Sequence, residues 1–141
     1  MKKSIFIICI IMALIFNTCL AFAADFEEPI EEENISEYVD TNSADSYLSI
    51  SGSRATCTTT VITKSSSTVN KMVVTVYYYK SSGTYIGSNT VTVNNSGTYF
   101  SGSTSKTLSS HGAYYAEAYV KLYHNSQLIE SFTLVTGNAT Y

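Results

Sequence analysis

The chain has 141 residues, a formal net charge of −3 and no tryptophan. This length fits one domain of ordinary size and argues against several. Most acidic residues lie before residue 46, and beyond it there are two glutamates, Glu117 and Glu130, and no aspartate. So few carboxylates argue against acid-base catalysis by a pair of acids set at a defined separation.

Residues 1–23 have the features of a secretory signal peptide. Two lysines precede an apolar run over residues 5–16, and the segment closes on Ala-Phe-Ala. A transmembrane helix needs about 20 apolar residues, and this run is shorter. Thr18 precedes Cys19 where lipoprotein signals usually have a smaller residue, which argues against lipid attachment. We predict cleavage before Ala24 and a secreted protein that has no transmembrane anchor.

Residues 24–45 form an acidic segment with nine acidic and no basic side chains. Residues 46–141 carry six basic residues and two acidic ones, a formal +4. Because a block of like charges repels itself and buries little apolar surface, we predict a disordered linker. The opposite charges of the two parts leave a second interpretation open, in which 24–45 is a pro-segment that folds back and masks the basic domain.

Residues 46–141 are rich in Ser, Thr, Val and Tyr and contain no proline, a composition typical of strands. Clusters of Ser, Gly and Asn interrupt the chain at short intervals and mark turns. Many short, evenly spaced strands indicate an antiparallel β-sandwich or barrel. The seven predicted strands are 47–51, 54–63, 69–80, 84–93, 98–108, 113–123 and 128–136.

Alternation within three of these strands predicts which side is buried, because successive side chains in a strand point to opposite faces. Charged residues mark the exposed side, so in the sixth strand Tyr114 is predicted to be internal and Tyr115 external. The predicted core residues are Ala55, Cys57 and Val61 in the second strand, Met72, Val74, Val76 and Tyr78 in the third, and Tyr114, Ala116, Ala118, Val120 and Leu122 in the sixth.

A tight hairpin centred on residues 125–126 is predicted to join the last two strands. In such a hairpin the numbers of facing residues sum to 251, which places Lys121 opposite Glu130. Oppositely charged and aromatic pairs across strands favour this register. The other predicted pairs are Tyr119 with Phe132 and Tyr123 with Leu128 on the outer side, and Leu122 with Ile129 and Ala116 with Val135 on the core side.

The run from Leu108 to Ala116 resembles the approach to the sixth strand of immunoglobulin-type domains, where a corner tyrosine precedes a cysteine by two residues. The resemblance makes Tyr114 the corner tyrosine and gives Ala116 the place of the second cysteine. Cys57 takes the place of the first. The partner cysteine and the core tryptophan are missing, so the resemblance implies an immunoglobulin-like sandwich without its disulfide.

A second resemblance rests on stretches spread over the whole chain. They are the signal peptide, the acidic segment, Ile50–Cys57, Val73–Tyr77 and Gly112–Tyr115, with similarity continuing to the C-terminal end. Together they resemble a family of small exported proteins of Gram-positive bacteria whose activity is unassigned. That family often carries tryptophan in its middle strands, which this chain lacks. The resemblance implies a β-sandwich and says nothing about a substrate.

The residues that most often carry chemistry are poorly placed for it. Cys57 could form an intermolecular disulfide or act as a nucleophile. We favour a small buried side chain without a disulfide, because its neighbours on the strand are apolar or Thr. His111 and His124 flank one strand and lie about 40 Å apart, too far to share a metal ion. The chain has no nucleophile elbow, phosphate-binding loop or nucleic-acid motif. We therefore predict a protein that is not an enzyme, has no cofactor and binds neither metal nor nucleic acid.

One sheet face is the strongest candidate for function. If strands three, four, six and seven form one sheet, its solvent side gathers aromatic residues with Lys71, Lys121 and Glu117, and Leu134 is expected beside them. Tyrosine provides large rigid contact area with a hydroxyl group, although it is also simply a good strand residue. The predicted binding residues are Tyr77, Tyr79, Tyr115, Tyr119, Tyr123 and Phe132.

We predict a non-catalytic module that binds a protein or a cell-wall glycan through this face, self-association included. A bacteriocin-like or toxin effector is the alternative, since export, small size and a basic domain are compatible with it. Killing of neighbouring strains by residues 46–141 would support that alternative. An enzyme is the third possibility, and the scarcity of carboxylates in the domain argues against it.

Overall fold

The computed structural model describes residues 40–141, and all of the regular secondary structure in that range is β-strand. The predicted signal peptide and residues 24–39 of the acidic segment lie outside the described residues. The strands are β1 (Thr41–Ser51), β2 (Arg54–Thr63), β3 (Lys71–Lys80), β4 (Tyr85–Asn94), β5 (Tyr99–Thr107), β6 (Ala113–His124), β7 (Gln127–Val135) and β8 (Ala139–Thr140).

The strands form two antiparallel sheets packed face to face. One has the order β1-β2-β5, and the other has the order β4-β3-β6-β7, with β8 pairing the start of β6. The prediction that strands three, four, six and seven share a sheet is therefore confirmed. In immunoglobulin terms the sheets are A-B-E and C′-C-F-G, because the fourth strand pairs with the third instead of the fifth. The protein is an immunoglobulin-like β-sandwich.

Six predicted strands agree with the observed ones to within two residues at each end. The first is the exception, because β1 begins at Thr41, six residues before the predicted start at 47. The last five residues of the predicted acidic linker, 41–45, are therefore part of a sheet. Their sequence has no apolar alternation, and they are held by pairing with the far end of β2, where Thr41 lies opposite Thr63. The two-residue strand β8 was not predicted.

The core lies between the sheets and contains all of the side chains that alternation assigned to it. Tyr78 is its largest member, and its hydroxyl forms a 2.7 Å hydrogen bond with the Thr104 hydroxyl in the opposite sheet. Its ring therefore spans the core, and its polar end is satisfied there. The buried apolar residues are Ala55, Cys57, Val61, Val69, Met72, Val74, Val76, Tyr78, Phe100, Leu108, Tyr114, Ala116, Ala118, Val120 and Leu122.

Tyr114 makes the contact expected of a tyrosine corner. Its ring is buried, and its hydroxyl donates a 2.5 Å hydrogen bond to the carbonyl of Ser110, four residues upstream. Gly112 lies between them with φ +146°, a conformation that side-chain-bearing residues rarely adopt. The predicted role of Tyr114 is confirmed, and Ala116, in the place of the second cysteine, is fully buried.

The hairpin between β6 and β7 turns where predicted, with Asn125 in the left-handed conformation at φ +54°. Tyr123 pairs with Leu128 as predicted, but the next pair is Leu122 with Glu130. Ile129 is therefore an extra residue, a β-bulge, and from this point the numbers of facing residues sum to 252.

The one-residue shift makes most of the predicted pairs wrong, because it moves the following side chains of β7 to the other face. Lys121 lies opposite Ser131 and not Glu130, and Tyr119 lies opposite Thr133 and not Phe132. On the core side, Leu122 faces Glu130 in place of Ile129, and Val135 lies opposite Glu117 in place of Ala116.

The bulge turns Glu130 into the interior, where it is 1% exposed. Its Oε2 atom accepts hydrogen bonds from the backbone N–H of Asp40 (3.0 Å), the backbone N–H of Thr41 (3.1 Å) and the Thr41 hydroxyl (3.2 Å). Its Oε1 atom is buried and has no hydrogen-bond partner. Glu130 thus joins the first residues of β1 in one sheet to β7 in the other, and we call this contact the Glu130 latch.

Candidate binding face

The outer side of the β4-β3-β6-β7 sheet, here called the tyrosine face, carries five of the six predicted binding residues. Each alternates with a buried neighbour on its strand, so the same period of two that builds the core also presents these rings to solvent. The five are Tyr77 and Tyr79 on β3 and Tyr115, Tyr119 and Tyr123 on β6.

Phe132 is not on this face, so its predicted position there was wrong. The β7 bulge pairs Phe132 with the buried Val120, and its ring packs against the core. Leu134 follows the same alternation and also packs against the core. Val135, which lies on the outer side, is 64% exposed.

Four tyrosines form a cluster at the end of the face where β6 begins. The Tyr79 ring stacks on the Tyr115 ring with centroids 5.1 Å apart and planes 13° apart. The Tyr85 ring tilts against Tyr79 at 5.6 Å and against Tyr77 at 6.4 Å. Aromatic pairs in these arrangements contribute about 0.5–1.5 kcal/mol each beyond the area they bury. The cluster is therefore a preorganised surface.

Sequence reasoning missed Tyr85, which is 53% exposed. Tyr85 lies opposite Tyr79 because β4 is irregular between its pairings with Tyr78 and Tyr79. Gly87 opposite Tyr78 has φ +139°, and Lys106 from β5 crosses directly over it, 2.3 Å from where a Cβ atom would lie. A lone glycine within a strand pattern was the available signal for this bulge.

The Tyr79 hydroxyl has a pKa above that of an ordinary tyrosine. Burial raises the pKa of Tyr79, and the negative charge of Glu117 raises the pKa further, with smaller contributions from neighbouring tyrosines. The Tyr79 hydroxyl group therefore stays neutral to a higher pH than that of an ordinary tyrosine, and it can both donate and accept hydrogen bonds.

Two lysines cover the tyrosine rings at the other end of the face. Lys71 Nζ lies 4.4 Å from the centroid of the Tyr123 ring, and Lys121 Nζ lies 5.1 Å from that of Tyr119. Lys71 and Tyr123 are direct cross-strand partners. Such cation–π contacts contribute about 0.5–1 kcal/mol at exposed sites and hold the ammonium groups close to the sheet.

Cys57 is fully buried between the sheets. Its sulfur lies 3.2 Å from the Ser46 hydroxyl, which also bonds Thr59. Burial raises the pKa of the Cys57 thiol, and the hydrogen bonds to Ser46 and Thr59 lower it by a smaller amount. The thiol is protonated at neutral pH and shielded from solvent, as expected for an unreactive core cysteine.

The two histidines lie in separate environments. His111 stacks on the C-terminal Tyr141 with ring centroids 4.2 Å apart, and His124 Nδ1 lies 2.6 Å from the Thr68 carbonyl oxygen. Within residues 40–141, no three His, Cys, Asp or Glu side chains lie close enough together to hold a metal ion.

No protein-family model matches this chain, and no curated protein matches it. Among the solved structures that match is a glycosyl hydrolase family 2 member from Bacteroides cellulosilyticus, with 9% sequence identity and a TM-score of 0.44. The match covers 72% of this chain and 14% of that protein, so the chain spans a small part of the hydrolase's length. In the part of the chain that the structure describes, no helix has the length and apolarity to span a membrane.

Proposed function

We propose that this protein is a secreted, non-catalytic module that binds a macromolecular partner through its tyrosine face. The observation that carries the proposal is the tyrosine cluster, in which four rings lie packed on one another at the surface of a sheet. Secretion is proposed from the signal-peptide features of residues 1–23. The resemblance to exported Gram-positive proteins is compatible with this role.

The packing of the rings supports a binding role because it lowers the cost of association. A side chain that is free in the unbound protein loses about 0.5–1.5 kcal/mol of conformational freedom when a partner immobilises it. Tyr79 is already held between Tyr115 and Tyr85, and Tyr119 is held by Lys121. These side chains have therefore lost most of that conformational freedom in the folded domain before a partner binds.

The positions of the two domain glutamates support a non-catalytic role. Glu117 lies on the tyrosine face, whereas Glu130 lies on the core side of the same sheet with its Oε2 atom bound to the start of β1. The two carboxylates are therefore on opposite sides of a sheet and cannot flank one substrate as the acid pair of a glycosidase does.

Cross-strand tyrosine pairs also stabilise sheets that bind nothing, so the decisive test is partner capture. The chain from Ala24 onward should be immobilised and exposed to culture-medium proteins and to a glycan array, as wild type and as Tyr77→Ser and Tyr119→Ser. Tyr47→Ser and Tyr99→Ser are matched controls, since both rings are 56% exposed on strands of the other sheet.

We expect the two tyrosine-face variants to lose most of the captured material and the two controls to retain it. Thermal unfolding followed by circular dichroism checks that all four variants are folded. Equal capture by folded variants of both faces would refute the proposal.

A further inference from the structure

We propose that the partner presents a carboxylate-rich polypeptide, and that the lysine end of the tyrosine face binds two carboxylates spaced four residues apart on an extended segment. This inference rests on the proposed function and gives the chemistry of the partner. It is carried by two observations, the covering of the ring faces and the placement of Lys71 and Lys121.

The stacked pair of Tyr79 and Tyr115 covers one face of each of these two rings. Tyr79 and Tyr115 lie on adjacent strands and stack at 5.1 Å, close to the spacing of about 4.7–4.9 Å between strands. The stacking direction therefore runs from strand to strand, so the rings stand upright and present edges and hydroxyl groups. A sugar ring stacks on an open aromatic face, and these two tyrosines turn their faces to each other.

The rings at the other end are covered by cations. Lys71 lies over Tyr123, and Lys121 lies over Tyr119. The surface that a partner meets there is therefore a pair of ammonium groups, each with N–H donors that remain free to form charged hydrogen bonds. Their contacts with the rings restrict both lysines before binding, which reduces the entropy cost that normally weakens a surface ion pair.

The spacing of the two lysines matches an extended acidic peptide. Lys71 Nζ lies over the Tyr123 ring and Lys121 Nζ lies over the Tyr119 ring, and these two tyrosines are four residues apart on β6, about 13 Å along the strand. In an extended chain, side chains at positions i and i+4 point to the same side and are also about 13 Å apart. A Glu-x-x-x-Glu segment that runs along β6 can therefore bring one carboxylate to each lysine.

Charge on the rest of the face orients such a segment. Glu117 lies beside the tyrosine cluster, opposite Tyr77. Its carboxylate repels acidic groups from that end, while the hydroxyl groups of the cluster can bond to uncharged polar groups. The acidic part of the partner is thus directed to the lysine end and its neutral part to the tyrosine cluster.

The test is fluorescence anisotropy with a labelled peptide, Ser-Glu-Val-Ser-Val-Glu-Ser, and its counterpart with both glutamates replaced by glutamine. The protein is the chain from Ala24 onward, as wild type, Lys71→Gln and Lys121→Gln. Arg54→Gln is the matched control, because Arg54 is exposed on β2 in the other sheet and removes the same charge.

We expect the glutamate peptide to bind and the glutamine peptide to bind at least tenfold more weakly. Each lysine variant should lose about three- to fivefold in affinity, at the upper end of the range for an exposed ion pair, and Arg54→Gln should lose less than twofold. Raising the salt from about 0.05 to 0.5 M should weaken binding of the glutamate peptide.

Three results would overturn the inference. They are no binding of the glutamate peptide at about 1 mM, equal binding of the two peptides, or equal losses for Lys71→Gln and Arg54→Gln. Capture of a glycan or wall polymer that depends on Tyr77 and Tyr119, without binding of the acidic peptide, would refute this partner class and leave the proposed function standing. If capture of a partner does not depend on Tyr77 and Tyr119, the proposed function itself is refuted.

Discussion

Replacing Glu130 with alanine removes the latch between β1 and β7. The carboxylate accepts three hydrogen bonds through Oε2, from the backbone of Asp40 and from the backbone and hydroxyl of Thr41. Thr41 is 4% exposed, so water cannot easily replace the lost acceptor for its two donors. The Asp40 N–H lies at a half-buried position and can recover part of its loss from solvent.

These contacts set the expected size of the effect. A buried donor left without a partner costs about 1–3 kcal/mol, and Thr41 contributes two such donors. Removal of Oε1, which is buried without a hydrogen bond, offsets part of this cost. We expect Glu130→Ala to lower the free energy of unfolding by about 3 kcal/mol. For a domain of this size that corresponds to a fall in Tm of roughly 12–24 °C.

The assay is urea unfolding followed by circular dichroism, with hydrogen exchange to locate the change. Exchange should accelerate most in residues 41–46, because the latch holds the first part of β1. Glu130→Gln should lose about half as much stability, since an amide oxygen can still accept the Thr41 bonds. Glu117→Gln is the matched control on the outer face and should change stability by less than about 0.5 kcal/mol.

Two outcomes would refute the reasoning. One is a Glu130→Ala variant that unfolds within about 0.5 kcal/mol of the wild type. The other is unchanged exchange at 41–46 despite a large global loss, which would show that Glu130 acts through the core and not through β1.

Three further predictions follow from single contacts. Gly87→Ala should destabilise the domain by at least about 1 kcal/mol in urea unfolding, because φ at this position is +139° and the new Cβ displaces the end of the Lys106 side chain. An unchanged free energy of unfolding would contradict the bulge geometry. Cys57 should not react with a thiol reagent in the native state at about pH 8, because burial raises the pKa of its thiol, and should react on unfolding in urea; rapid native labelling would show that the site opens. Tyr114→Phe should lower the free energy of unfolding by about 1 kcal/mol because it loses the corner hydrogen bond, whereas Tyr115→Phe should be nearly neutral. Equal losses for the two variants would show that the corner hydrogen bond does not stabilise the fold.

Alternation in sequence was sufficient in the strands that contain no bulge of their own. Every core side chain assigned in β2, β3 and β6 is buried, and the tyrosines between them face outward. The approach to Tyr114 was also recognisable, because a tyrosine corner depends on contacts within four residues. These features are local, so each strand carries its own evidence.

The errors share a physical cause. A bulge adds one residue to one strand, and the residues around Ile129 have the same strand propensity with or without it. The Lys121–Glu130 ion pair was predicted from the opposite charges of the two residues and an unbulged hairpin register. The fold instead buries Glu130, because the start of β1 presents three hydrogen-bond donors to it from the other sheet.

The candidate face divides in the same way. Its five tyrosines could be read from the period of two, whereas the removal of Phe132, the addition of Tyr85 and the placement of both lysines over rings could not. Strand periodicity acts over two residues, so the sequence alone was enough to predict two sheets, each with a buried face and a solvent-exposed face. Register and partner choice depend on groups up to 90 positions apart, such as Asp40 and Glu130, and only the packed sandwich brings these together.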